Sequence, residues 1–298
     1  MAGNIDRYAR VASGAFTRPG RTDITPPPNS TLLIGARYTT GTSNSQAELE
    51  SAFAAAQTIL GPLQCTRTYY SSGSPPGATY NKRLSSADLI SVKDWPASDA
   101  TLTSFLNSLN SGDRLIHHHE PEGPGEYASG AAYVAEFNAI ADRIHGLVPT
   151  AKIGHAAGGY QYRSSAGNGW DGSYLPPATK CDFYAMDCYC DGWTNDPNAY
   201  GYVEPVQDTP QFTRWYSFVQ DRGKELILAE WALGTVGNSE VSGTPARRAA
   251  NIPDTIDWLR ANGFTRASYW FCNYGPDGRQ WQFTDAASIA AFNALVRG

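Results

Sequence analysis

The chain has 298 residues, 41% of them hydrophobic and 17% charged, and a formal net charge of −5. This is enough apolar material for a large core, and the mild acidic balance lacks the basic face that nucleic acids and anionic membrane surfaces call for. No apolar run approaches the roughly 18 residues of a membrane span. Residues 1–30 read as an extended arm, since PPPNS at 26–30 cannot be helical. Their first part, MAGNIDRYARVASGAF, holds no apolar stretch of the kind a signal peptide needs. The expectation is either a surface- or phage-associated protein that needs no classical export, or an extracellular one whose leader lies outside this sequence.

From residue 31 onward, short apolar runs alternate with helical patterns. Eight runs read as strands: TLLIGARY (31–38), LQCTRTYY (63–70), DLISVKDW (88–95), DRLIHHHE (113–120), AKIGHAAG (151–158), CDFYAMDCY (181–189), ELILAEWALG (225–234) and RASYWFCN (266–273). Segments 45–60, 98–110, 130–147, 209–223, 244–263 and 285–298 read as helices. Their ends carry ordinary start and stop signals: Ser45 as an N-cap, Ser98-Asp99, Thr244-Pro245, and Gly223 and Gly263 at the stops. The stretches after the second and fifth strands are irregular and rich in Gly and Pro, so helices are weakly marked there. Eight strands separated by helical segments predict a single α/β domain, a (β/α)8 barrel over 31–298. A doubly wound sheet is the alternative, but IGARYTTGTSNS is a poor match to its Gly-rich phosphate turn.

The chain carries 8 Trp and 17 Tyr, many of them in Gly- and Asn-rich stretches. Rings beside polar groups suit a sugar, which shows C–H groups on one face and hydroxyls on its rim; singly, such rings are ordinary half-buried residues. Five cysteines are an odd number, so a monomer keeps at least one thiol. Cys188-Tyr189-Cys190 is not a redox pair and no second pair completes a zinc site, so no cofactor or metal is expected.

In such barrels the chemistry sits at the C-terminal ends of the strands. Those ends offer Arg67 and Tyr69 on the second strand, Lys93-Asp94-Trp95 on the third and His119-Glu120 on the fourth. They continue with His155 on the fifth, Asp187-Cys188-Tyr189 on the sixth, Glu230-Trp231 on the seventh, and Trp270 and Asn273 on the eighth. The opposite rim shows no such concentration. A three-histidine metal site from His117-His118-His119 is awkward, because strand alternation puts His117 and His119 on one face and His118 and Glu120 on the other. A chain that kinks at Pro121 would turn both His119 and Glu120 toward the pocket. His117 and His118 then read as structural, and His155 as an interior histidine.

Carboxylates on the fourth and seventh strands suit glycoside hydrolysis, in which one protonates the leaving oxygen and the other attacks or activates water. The acid needs a raised pKa and the nucleophile must stay ionised, a state that Arg67 would favour. At these residues the sequence resembles the clan A glycoside hydrolases, barrels with an acid/base Glu ending strand 4 and a nucleophile Glu ending strand 7. The residue before the acid/base is usually Asn in that clan. Here it is His119, and the His-Glu pair resembles glycoside hydrolase family 26, which includes β-mannanases, β-1,3-xylanases and related endo-β-glycanases. The resemblance implies Glu120 as acid/base, with His119 bonding substrate or nucleophile. LILAEWALG resembles the strand-7 motif and implies Glu230 as nucleophile. Arg67 matches the strand-2 arginine, MDCY implies Tyr189 as the tyrosine bonding the nucleophile, and YWF implies Trp270 as the sugar platform. Trp95, Trp170, Trp193 and Trp231 are further candidates for sugar stacking.

The leading expectation is thus a retaining endo-β-glycanase acting as a monomer on a polysaccharide, with no nucleic-acid or membrane partner. Two alternatives stay open: a non-catalytic carbohydrate-binding barrel, surface- or phage-associated, and a metal-dependent hydrolase built on the histidine run.

Overall fold

The computed structural model of the protein describes residues 32–37, 45–190, 205–234, 245–272 and 282–297. The expected arm at 1–30 lies outside them, as do Trp193 and Asn273. Eight parallel strands follow the predicted order: β1 (Leu33–Arg37), β2 (Arg67–Tyr70), β3 (Leu89–Val92), β4 (Arg114–His117), β5 (Ile153–Gly158), β6 (Phe183–Cys190), β7 (Glu225–Leu233) and β8 (Phe264–Trp270). From β2 to β8 each strand pairs with the next in chain order, and β8 pairs with β1. The helices among the described residues are α1 (Gln46–Leu60), α2 (Asp99–Asn107), α3 (Gly130–Leu147), α4 (Pro210–Val219), α5 (Pro245–Ala261) and α6 (Ala286–Arg297). The expected (β/α)8 barrel is therefore the observed fold. No α-helix follows β2, and a 3-10 turn at Gly159–Tyr162 follows β5, where the Gly- and Pro-rich composition disfavours a longer helix.

The caps explain the helix boundaries. Ser45, Ser98, Ser129 and Thr209 each accept a hydrogen bond from a backbone N–H of the first turn, and Pro210 occupies the first turn of α4. None of the described helices is long and apolar enough to cross a membrane. All five cysteines are buried as thiols.

The barrel closes at the β1–β2 seam through a few bonds rather than a full ladder. Gln64 N–H donates to Ile34 O (2.9 Å), Ile34 N–H donates to the Gln64 side chain (3.0 Å), and Thr66 Oγ1 donates to Ala36 O (2.7 Å). The approach is so close that a Cβ on Gly35 would fall 1.8 Å from Cys65 O. Inside the barrel, Leu89, Ile116, Ala156, Phe183, Ala185, Ile227 and Ala229 form one apolar plug. The larger apolar cluster lies between the strands and the helices.

One irregularity in β7 matters for the site. Met186 pairs with Leu228 but Asp187 pairs with Glu230, so Ala229 is an extra residue on β7. Ala229 points inward with Ile227. The bulge lets Glu230 face inward as well and turns Trp231 outward, where its ring meets Tyr269 edge-on at 4.8 Å. The opposite mouth also departs from expectation. There Arg114 Nε lies 2.7 Å from Glu225 Oε2, and Arg266 Nη2 lies 3.9 Å from Glu225 Oε1, which also accepts from Thr265. Charge gathers at both mouths because the interior ends there and polar groups need partners.

Gly35→Ala is expected to destabilise the protein by about 4 kcal/mol or more, because the methyl would strike backbone rather than a side chain that can move. Thermal unfolding of the variant checks this.

Candidate active site

The site begins where β4 stops. Regular strand ends at His117, and His118 (φ 48°) and Glu120 (φ 52°) then adopt left-handed backbone. Such conformations cost a non-glycine residue about 1 kcal/mol or more, and they gather at functional sites. The turn toward the pocket therefore comes from His118 and Glu120, before Pro121. It sends the three imidazoles to three neighbours. His117 stacks on Tyr133 of α3 (5.8 Å between centroids) and accepts from Trp95 Nε1 at 2.9 Å. His118 meets the edge of Tyr127 at 4.8 Å and lies 3.4 Å from Glu126. His119 meets Tyr69 edge-on at 5.3 Å. Three rings aimed at different partners do not converge on one ion.

Glu120 is anchored by its own N–H, which donates to Ala156 O (2.9 Å). Its side chain lies over Gly158, where a Cβ would sit 3.2 Å from Glu120 Cβ and Cγ and 3.3 Å from Oε1. Glycine at 158 leaves room for this carboxyl.

Glu230 sits at the centre of a dense polar group. The hydroxyls of Tyr69 and Tyr189 donate to its two carboxylate oxygens. Arg67 Nη1 lies 3.0 Å from Glu230 Oε1 and also pairs with Asp187. Arg67 is fully buried, with Nε donating to Ser91 Oγ at 3.1 Å. Arg37 packs its guanidinium over Tyr69, 5.4 Å from the ring centroid, and donates to Arg67 O at 3.1 Å. Trp270 closes the group, half buried, with its ring 6.4 Å from those of both Tyr69 and Tyr189.

The two glutamates have different electrical settings. Burial, and after it the Asp187 charge, push the Glu120 carboxyl to about 8; Arg67 and Lys93 oppose the rise and Glu122 adds to it. Burial also raises Glu230, but the charges of Arg67 and Arg37 oppose it there. Two phenol donors to the same carboxylate further favour its ionised form. Burial holds His119 well below the ordinary histidine value, and Arg67 and Lys93 act the same way, so its ring is neutral at neutral pH. A neutral imidazole offers one donor and one acceptor, which suits a sugar hydroxyl.

Of the residues expected at the site, Arg67, His119, Tyr189, Glu230 and Trp270 meet in one cluster. Glu120 stands beside it on the same rim, within reach of the Arg67 and Asp187 charges. Trp231 does not belong there. It is fully buried behind β7 and shows no face to a ligand, because the bulge at Ala229 reverses the alternation that would have turned it inward. Trp95 is tied by its indole to His117, in the layer against α3, rather than to the Glu230 group. The Trp170 ring is covered by Arg214, 4.5 Å from its centroid.

Tyr69, Asp187 and Arg37 share the cluster without having been assigned roles. Their inward parity on β2, β6 and β1, the same as that of Arg67 and Tyr189, was the available signal. Glu122 was missed altogether. It is fully buried two residues beyond Glu120, and nothing in EPEG separates it from a solvated loop acid.

No family model and no curated protein matches the chain. Solved structures do. GH26C from Muricauda sp. MAR_2010_75 is 11% identical, with a TM-score of 0.55 over 90% of this chain and 86% of that one. The GH26 endo-β-1,4-mannanase catalytic domain from Bacillus sp. JAMB-750 is 12% identical, with a TM-score of 0.56 over 90% and 86%. The endo-1,4-β-D-mannanase of Thermotoga petrophila RKU-1 is 13% identical, with a TM-score of 0.54 over 90% and 99%. At these identities the likeness is one of fold: the chain shares the barrel of these glycoside hydrolases.

Two outcomes are expected from this geometry. Arg67→Ala leaves Asp187 and Glu230 buried without their cation, and should cost about 3–5 kcal/mol in urea unfolding. Glu120 behaves differently. Its folded value of about 8 lies above the ordinary 4.5, so the folded state keeps a proton that the unfolded chain gives up. Stability drains away as the pH climbs between those two values. Glu120→Gln should therefore raise Tm by roughly 3 °C or more near pH 7.5 and leave it unchanged near pH 4.

Proposed function

We propose that the protein is a retaining endo-β-glycanase of the glycoside hydrolase family 26 type. The observation that carries this reading is the contrast between two glutamates on one barrel rim. Glu230 is held by two tyrosine hydroxyls and an arginine, and Glu120 is half-buried beside like charge with its pKa raised to about 8. One suits a nucleophile and the other a proton donor. The barrel shared with mannanases supports the same reading.

In this mechanism a Glu230 oxygen attacks the anomeric carbon as the glycosidic C–O bond breaks. Glu120 gives its proton to the departing oxygen, so the sugar is left as an ester on Glu230. Glu120, now a carboxylate, takes a proton from water, the water oxygen bonds the anomeric carbon, and the ester bond breaks. Tyr69 and Tyr189 hold the Glu230 carboxylate in line. His119 bonds a sugar hydroxyl, and Trp270 carries the apolar face of the ring. The substrate is a β-linked polysaccharide: a mannan, a xylan, a mixed-linkage glucan or a microbial surface glycan.

Wild type should release new reducing ends from one member of a panel of these glycans, and Glu230→Ala should lower the rate by roughly three orders of magnitude or more while keeping its circular dichroism. The kcat/KM profile should be bell-shaped, its alkaline limb near pH 8 from loss of the Glu120 proton. Proton NMR of the first product should show retained configuration; inversion would refute the double displacement. Binding without turnover would leave a carbohydrate-binding barrel.

A further inference from the structure

Glu122 is a fully buried carboxylate that the mechanism does not use. Among the described residues its ion-pair partner is His155, with Nε2 at 3.4 Å from Oε1, and neither Lys nor Arg reaches it. The other contacts are neutral. Gly158 N–H donates to Oε2 at 3.1 Å, and Tyr162 OH donates to Oε1 at 3.4 Å. Behind His155, Tyr133 OH meets Nδ1 at 3.0 Å. Asn168 Nδ2 donates to the Glu122 carbonyl at 2.9 Å, which fixes the backbone as well.

Gly158 links this group to the active site. Its N–H faces Glu122, and the Glu120 side chain lies against its Cα. Two carboxyl groups two residues apart therefore meet the same glycine. A glutamine at 122 would accept the Gly158 hydrogen bond equally well, and a fully buried acid beside only a histidine is costly to keep. The choice of an acid over an amide is thus the feature that needs a reason. Around Glu120 stand Asp187 from β6, Arg67 from β2, Lys93 from the end of β3, and Glu122 from its own turn. Asp187 and Glu122 are the two anions of that set, and Glu122 is the one that shares the Gly158 turn with Glu120.

We propose that Glu122 is a positioning residue for Glu120: it pins the Gly158 turn beneath the Glu120 carboxyl and sets a fixed negative charge behind it. The proposal rests on the reading of Glu120 as the acid/base, and it concerns a residue that does not touch substrate.

The test is a pH titration of the Glu120 carboxyl carbon by NMR in 13C-labelled protein, assigned with Glu120→Gln, in wild type, Glu122→Gln and Glu122→Asp. The wild-type midpoint is expected near pH 8. In Glu122→Gln it should fall by about one pH unit or more, since a like charge has been removed. In Glu122→Asp, which keeps the charge and loses reach, it should fall less while kcat drops. An unchanged midpoint in folded Glu122→Gln would overturn the proposal, and so would equal falls in the two variants. If Glu122→Gln does not fold, a Glu122→Asp midpoint held near wild type with reduced kcat supports the proposal, and unchanged kcat overturns it. The alkaline limb of kcat/KM should move with the midpoint. A midpoint that shifts in a protein with no turnover on any glycan would sink the glycosidase reading alone. Turnover with a fixed midpoint would sink the role of Glu122 alone.

Discussion

The site is organised around one buried cation. Arg67 has no exposure to solvent, and its guanidinium bridges Asp187 on β6 and Glu230 on β7. A charge in that position needs partners of opposite sign, and those partners fix the upper ends of three strands relative to one another. Tyr69, two residues along the same strand, lays its ring within 5.2 Å of the guanidinium and spends its hydroxyl on Glu230. Arg37 adds a second cation above the same ring. Two arginines thus stand against two carboxylates, and Glu120 lies just beyond them. Burial and the Asp187 charge favour the neutral form of Glu120 there, against the pull of Arg67 and Lys93.

The strained turn after β4 belongs to the same balance. Left-handed backbone at His118 and Glu120 works against stability, and a carboxyl raised to about 8 works against it again at neutral pH. Both costs fall at one corner, where the Glu120 N–H is tied to β5 and Gly158 makes room. A protein bears such costs where geometry has a use, and the rest of the barrel supplies the margin.

Much of this was legible in the sequence, for local reasons. α3 spans Gly130–Leu147 as its amphipathic pattern indicated, and α1 starts one residue after Ser45 because that side chain caps it. Glu120, Glu230, Arg67 and Tyr189 stood out because charged and aromatic residues crowd the C-terminal ends of the apolar runs. What could not be read was parity. One extra residue at Ala229 exchanges the faces of Glu230 and Trp231, and the run LILAEWALG does not mark where it sits. Nor could pairing between distant strand starts be read: Arg114 and Glu225 meet at the lower mouth across 111 positions. Glu122 was hidden for a third reason, because its burial depends on the turn that the backbone at Glu120 makes.

The apolar plug of Leu89, Ile116, Ala156, Phe183, Ala185, Ile227 and Ala229 separates the two charged mouths. Its seven side chains are all apolar, and above them the first polar groups are Ser91 and the Arg67 that bonds it. Glu120 is partly exposed, so it exchanges protons with the solvent on its own side of that floor. The barrel is thus a vessel with a packed floor, and a dry layer screens the charges of one mouth from those of the other.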